Sequence, residues 1–294
     1  VLVPGTRTRA VAVGLLADMV LGEPPVRPHP VALFGRVVRA AERRTYRDSR
    51  SAGAVHAAFG TGIGVAAGAV VRSPALATYV AVAGRALWQA ADAVRAALEA
   101  DDLDEARRLL PALVGRNPTD LDEKDIARAV VESVAENTVD AVVAPALWAV
   151  AAGAPGALGH RAVNTLDAIV GHRSPRYENF GWASARADDI AAFVPARATA
   201  TLVAMVRPRS AAAVWTAVRR DAPGHPSPNA GVAEAAFAAA LGLRLGGESR
   251  YGERVEVRPS MGDGRPPEVA DIARTIRLSQ HVTLALAGIL AVRR

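Results

Sequence analysis

The chain contains no cysteine, which excludes disulfides, thiolate zinc sites and a cysteine nucleophile. Lys124 is its only lysine, and aromatic residues make up 4% of the sequence. No GxxxxGK[ST] loop, no GxGxxG after a strand and no HExxH occurs, so any nucleotide or metal is held by another arrangement. A nucleophile elbow is also missing, which removes serine-hydrolase chemistry. There is no 20–50-residue repeat, hence no solenoid. The net charge is +6 and comes from arginine. No basic stripe interleaved with aromatics accompanies it, so nucleic acid is not the expected partner. Arginine suits cytoplasmic loops of membrane proteins and phosphate or carboxylate ligands.

What is present is alanine, valine and leucine in abundance, which predicts a mostly helical protein. Its hydropathy is too high for a routine soluble enzyme and its charge too high for a simple transporter. The most informative stretch runs from Glu132 to His160. Glu132, Glu136 and Asp140 recur every fourth residue and would stack along one helix face, with Asn137 beside them. Ala141 to His160 then carries no residue charged at neutral pH, about the length that crosses a bilayer core. Like charges on one stripe repel, so the stripe calls for a cation, an arginine or protons. A salt-bridged surface would account for Glu132 with Arg128. It does not account for Asp140, which abuts an apolar run.

Four or five membrane segments are expected, some of them buried in protein, with candidates near 51–71, 74–91, 141–160, 190–206 and 278–292, in a single domain over 1–294. The first is rich in Gly and Ala, which permits close helix contact. The basic cluster before it predicts a cytoplasmic N-terminal end. Ala10–Leu21 contains Asp18 and reads as a patterned helix, not a signal peptide. Asn117–Asp122 reads as a helix start with Thr119 or Asp120 as N-cap, and 248–266 as a loop with a short hairpin. Two proline-rich turns, Gly22–Pro30 and Asp221–Gly231, punctuate the chain.

Further polar groups cluster in short motifs. Asp18, Glu23 and His29 flank the first turn. Asn164 and Asp167 lie three apart on a helix. Asp188 and Asp189 are adjacent, so only one of them can face a given site. HPSPNAGVAEAA holds His225, Ser227, Asn229 and Glu234. Helix capping explains Ser227 or Asn229, not the set, and such a turn can hold phosphate on backbone N–H groups. Scattered Asp, Glu and Asn suit Mg²⁺ with phosphate, because Mg²⁺ takes one or two carboxylates plus phosphate oxygens.

Four segments together resemble the CobD/CbiB family of cobalamin biosynthesis: LLADMVLGEPPVRPHPVALFGRVV, VGRNPTDLDEKDIARAVVESVAENTVDAVVAPALWA, RAVNTLDAIVGHRSPRYENFGWASARADDIAAFVPAR and RDAPGHPSPNAGVAEAAFAAALGLRLGG. They occur in family order from about Leu15 to Gly247. Glu23 stands where the family pattern has Asp, and YGER at Tyr251–Arg254 is less glycine-rich than the pattern. The resemblance implies an all-α polytopic protein of the bacterial inner membrane with its active site facing the cytoplasm. The implied reaction joins (R)-1-amino-2-propanol, or its O-phosphate, to a propionate carboxyl of adenosylcobyric acid at the expense of ATP. An acyl phosphate would make the carboxylate an acceptor for the amine. Under that reading Glu136, Asp140 and Asp167 hold Mg²⁺–ATP, and Arg173 or Arg176 meets phosphate. His225, Asn229 and Glu234 bind or deprotonate the amine. Asp18, His29, Asn137, Asn164, Asp188, Asp189 and Ser227 complete the substrate-binding set. Expected partners are these small molecules and the lipid bilayer. Self-association, or a complex with other cobalamin-assembly membrane proteins, stays open. The competing reading is a transporter or binding protein using Asp140 and Asp167 as intramembrane charges; transport favours paired repeats, and none is seen.

Overall fold

The computed structural model describes residues 4–115, 119, 121–172, 174–251 and 254–292. It is 79% helical. Four helices are long and apolar enough to cross a membrane: Arg50–Val71, Glu123–Gly171, Trp182–Val206 and Val269–Val292. Three of them, Arg50–Val71, Trp182–Val206 and Val269–Val292, carry large apolar side chains on the outside, such as Val55, Phe59, Ile190, Val194 and Ile289, as a lipid-facing surface requires. The protein is an all-α polytopic membrane protein.

The chain divides into two compact units, one built from 1–83, 140–195 and 286–294, the other from 84–139 and 196–285. The first unit opens with α1 (Pro4–Leu21), α2 (Pro30–Thr45), α3 (Arg50–Val71) and α4 (Pro74–Ala81). Their boundaries are written in the local sequence. Pro30 and Pro74 sit in the first turns of α2 and α4, where a missing N–H costs nothing. Ser49 Oγ accepts from Ala52 N–H and Ser73 Oγ from Leu76 N–H, both at 3.3 Å, as N-caps do. The expected segment 74–91 is not one helix. It breaks after Ala81, where Ala83 N–H donates to Ala141 O at 3.0 Å, and a new helix, α5 (Gly84–Glu99), begins the second unit.

The second unit continues with α6 (Leu103–Leu109) and α7 (Glu123–Thr138). Asp122 caps α7, accepting from Asp125 N–H at 2.8 Å. Thr119 is therefore not the cap, and Asp120 lies outside the described residues. A π-helical turn, Val139–Val143, joins α7 to α8 (Ala144–Leu166), and a second, Asp167–Gly171, follows α8. The expected run 141–160 is thus part of a longer helical stretch, and it is interrupted at Gly153 (φ 68°), two residues before Pro155. Next come α9 (Trp182–Val206), α10 (Ala211–Asp221), α11 (Ala230–Leu241), a hairpin of β1 (Leu245–Tyr251) and β2 (Arg254–Met261), and α12 (Val269–Val292). The hairpin is antiparallel and pairs Leu245 with Met261, with a register shift at Gly246.

Glycine sets the packing of the first unit. Gly60, Gly64 and Gly68 repeat every fourth residue along α3 and face α8. A Cβ on Gly64 would lie 2.6 Å from Ala162 Cβ and Leu158 O; one on Gly68 would lie 2.5 Å from Ala154 O. Only hydrogen fits there, so the two backbones approach closely, the packing that replaces the hydrophobic effect inside lipid. In the second unit a buried hydroxyl node does similar work. Ser279 Oγ of α12 accepts from Trp88 Nε1 at 2.9 Å and lies 2.7 Å from Thr138 Oγ1.

Asp221 fastens α10 to the hairpin, accepting from Gly262 N–H at 2.8 Å and from Arg220. The Arg220 hydrogen bond, with that N–H, holds the Asp221 carboxyl below its usual range despite burial. A lowered carboxyl stabilises the fold above its unfolded pKa, and that gain is lost as pH falls through the lowered value. The stability gap between wild type and Asp221→Asn should accordingly be widest near neutral pH and close on acidification; a pH-independent gap in unfolding midpoints would contradict this. For the helix contact, Gly68→Ala is expected to cost about 1–3 kcal/mol by overpacking. Gly62→Ala has nothing within 4 Å of its new Cβ and should be neutral or stabilising by up to about 1 kcal/mol. Unfolding of both variants in mixed micelles decides it.

Candidate functional site

The residues singled out from the sequence fall into two groups. Asp18, His29, Asp140, Asn164, Asp167, Arg176, Asp188 and Asp189 belong to the first unit; Glu136, Asn137, His225, Ser227, Asn229 and Glu234 belong to the second. Arg173 lies outside the described residues.

In the first unit the carboxylates meet an arginine that the sequence reading passed over. Asp140, Glu23 and Asp18 all act electrostatically on Arg161 of α8. Asp18 is buried and Asp140 half-buried, so a guanidinium among them offsets charge that lipid or core could not tolerate. The spacing of Arg161, Asn164 and Asp167, three residues apart each time, put them on one helical face and could have flagged Arg161.

Both aspartates expected at a metal lie in π-helical turns, Asp140 in the first and Asp167 at the start of the second. Such turns widen the helix by one residue and are common at functional sites. The widening rotates Asp140 out of strict phase with Glu132 and Glu136. At the second turn, the Asp167 carboxylate occupies the space that a Cβ on Gly171 would fill. The adjacent pair Asp188 and Asp189 diverge, as expected. Asp188 Oδ1 accepts from Asn164 Nδ2 at 3.4 Å, while Asp189 pairs with Arg186. His29 caps α2 through Nδ1, accepting from Val31 N–H at 3.4 Å.

Arg176 is engaged in the scaffold. Its Nη2 donates to the buried Glu42 at 2.9 Å, its guanidinium stacks 4.0 Å from the Tyr46 ring centroid, and Tyr177 Oη donates to the same Glu42 oxygen at 3.0 Å. These bonds tie the segment 174–181 to α2.

The second unit resolves the HPSPNAG turn. Ser227 Oγ accepts from Ala230 N–H at 3.1 Å, so the capping role is its own. Asn229 instead accepts from Arg197 Nη1 of α9 at 3.0 Å. His225 and Glu234 remain, and they face each other: Nε2 lies 3.7 Å from Glu234 Oε1, with side chains 4% and 1% exposed. His225 Nδ1 lies 3.0 Å from both the N–H and the carbonyl oxygen of Ser227, which fixes the ring with Nε2 toward the carboxylate. Gly231 leaves the room, since a Cβ there would lie 2.9 Å from His225 Cγ. A carboxylate inside the fully apolar α11 is costly without such a partner.

Glu132 is structural. It is 3% exposed, accepts from Gly246 N–H at 3.0 Å and lies 4.0 Å from Arg128 Nε. Arg128 also donates to Gly246 O and to Asp125, so this trio pins the bulge that starts the hairpin. Asn137 donates to Ser133 O one turn back, at 3.0 Å. Among the described residues no group of three or more His, Asp or Glu gathers as a metal site.

Comparison with known proteins is consistent across the chain. Residues 11–279 match the family model described as CobD/Cbib protein. The chain is 50% identical over 303 residues to the cobalamin biosynthesis protein CobD of Mycobacterium tuberculosis (strain CDC 1551 / Oshkosh), covering 98% of this chain and 95% of that one. It is 43% identical over 284 residues to the CobD of Chromobacterium violaceum, covering 90% of each. The CobD of Geobacter metallireducens is 39% identical over 302 residues, covering 96% of this chain and 95% of the relative. No solved structure matches.

If Glu132 is structural, Glu132→Ala leaves the buried Gly246 N–H without an acceptor and is expected to cost about 1–3 kcal/mol. Glu132→Gln, which keeps an acceptor, should lose less. Equal stability of both variants and wild type would remove this assignment.

Proposed function

This chain belongs to the CobD/Cbib protein family, and on that premise we propose that it is an ATP-dependent acid–amine ligase of cobalamin biosynthesis. It attaches (R)-1-amino-2-propanol, or its O-phosphate, to a propionate carboxyl of adenosylcobyric acid. The observation that carries the reading is the gathering of three carboxylates, Asp140, Glu23 and Asp18, around the Arg161 guanidinium, within an otherwise apolar helical protein. Carboxylate oxygens beside a guanidinium are a hard-donor set that fits Mg²⁺ completed by phosphate oxygens. Asp140 and Asp167, each with its side chain aimed by a π-helical turn, are the proposed ligands. Mg²⁺ there would neutralise phosphate charge during phosphoryl transfer.

The chemistry then follows in two steps. A carboxylate oxygen of the corrinoid attacks the γ-phosphorus of ATP, the bond to the β-phosphate oxygen breaks, and ADP leaves. The amine attacks the resulting acyl phosphate at carbon, the C–O bond breaks, and inorganic phosphate leaves with its electron pair. The guanidinium of Arg161 stabilises phosphate charge in the first step. The amine must be unprotonated for the second, and the buried His225–Glu234 pair accepts its proton. Asn229, held by Arg197, and Asn137 orient substrate, as does Glu136 on the same helix as Asn137. The inner-membrane location and a cytoplasmic site follow from the need for ATP.

Purified protein incubated with adenosylcobyric acid, ATP, Mg²⁺ and either amine should yield the amide by mass spectrometry. Asp140→Asn and Asp167→Asn are expected to lower the rate about a hundredfold or more, and Glu234→Gln similarly through loss of proton transfer. Gly171→Ala should mimic Asp167→Asn, because its Cβ displaces that carboxylate. No amide from either amine would sink the ligase reading. Undiminished synthesis by both Glu136→Gln and Asp140→Asn would sink the residue assignment.

A further inference from the structure

One corner of the first unit carries unpaired positive charge. Arg39, Arg43 and Arg44 of α2, Arg47 in the link and Arg50 at the start of α3 are all exposed. Several arginines elsewhere in the protein are answered by acids: Arg95 by Asp92 and Glu99, Arg108 by Glu105, Arg128 by Asp125, Arg220 by Asp221. The guanidinium groups of Arg39, Arg43, Arg44 and Arg47 make no ion pair or hydrogen bond with any described residue. The two acids nearby are already engaged, Glu42 by Arg176 and Asp48 by Asn179.

The same corner marks a membrane boundary by a second observation. Two of the membrane-length helices, α3 and α9, begin here side by side. The Arg50 guanidinium lies 5.3 Å from the ring centroid of Trp182, the first residue of α9, and Trp182 is 43% exposed. Gly53 of α3 packs on Phe180, just before α9. A half-exposed tryptophan at the starts of two apolar spans is the signature of the bilayer interface. Arginines at that level stand among lipid headgroups.

We propose that Arg39, Arg43, Arg44, Arg47 and Arg50 form a docking face for anionic phospholipid headgroups at the shared entry of α3 and α9. Each guanidinium offers several donors in a plane that matches phosphate oxygens. Phospholipid is favoured over soluble phosphate by continuity with the two spans, whose apolar faces hold the acyl chains beside the arginines. The site needs none of the residues assigned to the ligase reaction and stands or falls independently of it.

The test uses the full chain in neutral detergent, with phosphatidylglycerol and phosphatidylcholine as probes and bound lipid counted by native mass spectrometry. Phosphatidylglycerol should bind about tenfold or more tightly than phosphatidylcholine, as several guanidinium–headgroup attractions would give. The preference should shrink when salt is raised several-fold, since exposed charges are screened. Arg39→Gln, Arg43→Gln, Arg44→Gln and Arg47→Gln combined should abolish it, while the matching lysine variants retain most of it. Helicity and ligase activity in detergent report whether the glutamine variant is folded. Equal binding of the two lipids by wild type overturns the proposal without any variant. Retained preference in the folded glutamine variant overturns it too. Displacement of phosphatidylglycerol by ATP or inorganic phosphate at comparable concentration would assign the face to a soluble anion instead.

Discussion

A charge enclosed by apolar helices must be answered, and most of the polar architecture here follows from that constraint. Burying an unpaired carboxylate costs several kcal/mol, so each one found inside has a partner. Glu132 takes Gly246 N–H, Asp221 takes Gly262 N–H and Arg220, Glu42 takes Arg176 and Tyr177, and Glu234 faces His225. In the first three the answer is complete and the group serves the fold: each ties a helix to a hairpin or a loop to a helix. Around Arg161 three carboxylates, Asp140, Glu23 and Asp18, act on one guanidinium.

The helical scaffold supplies position by two means that need no side-chain charge. Gly60, Gly64 and Gly68 bring α3 against α8 closely enough to fix α8 as a rigid carrier of Arg161 and Asn164. The two π-helical turns then interrupt the carrier where Asp140 and Asp167 sit. Each turn costs some backbone hydrogen-bond quality and gains a side-chain direction that a regular helix would not provide. Gly171 and Gly231 complete the arrangement by leaving space for Asp167 and His225.

Much of this was legible in the chain. Apolar run length pointed to membrane-length helices, and four helices are long and apolar enough to cross a membrane, because lipid thickness sets a minimum that composition alone reveals. Proline and serine marked the starts of α2, α3 and α4. The stretch 74–91 was misread because its break after Ala81 is made by a tertiary hydrogen bond, Ala83 to Ala141, which no local signal announces. The scaffold contacts of Arg176 were not legible for a related reason. Its Glu42 partner is 134 positions away, and an arginine in a loop looks the same in sequence whether it waits for phosphate or is already engaged. Arg161 was overlooked although its three-residue spacing to Asn164 and Asp167 was visible, since an arginine beside an apolar run reads first as an end marker.

The sequence by itself determined the helical class, the membrane character and the family-bearing polar motifs. These rest on composition, periodicity and run length, which are properties of neighbouring residues. Tertiary structure decided which polar groups hold the fold together, because that depends on what lies across a helix interface, where a partner comes from anywhere in the chain. Glu132 and Glu136 are one helical turn apart and identical in kind; only the fold, by bringing Gly246 to the first, tells them apart.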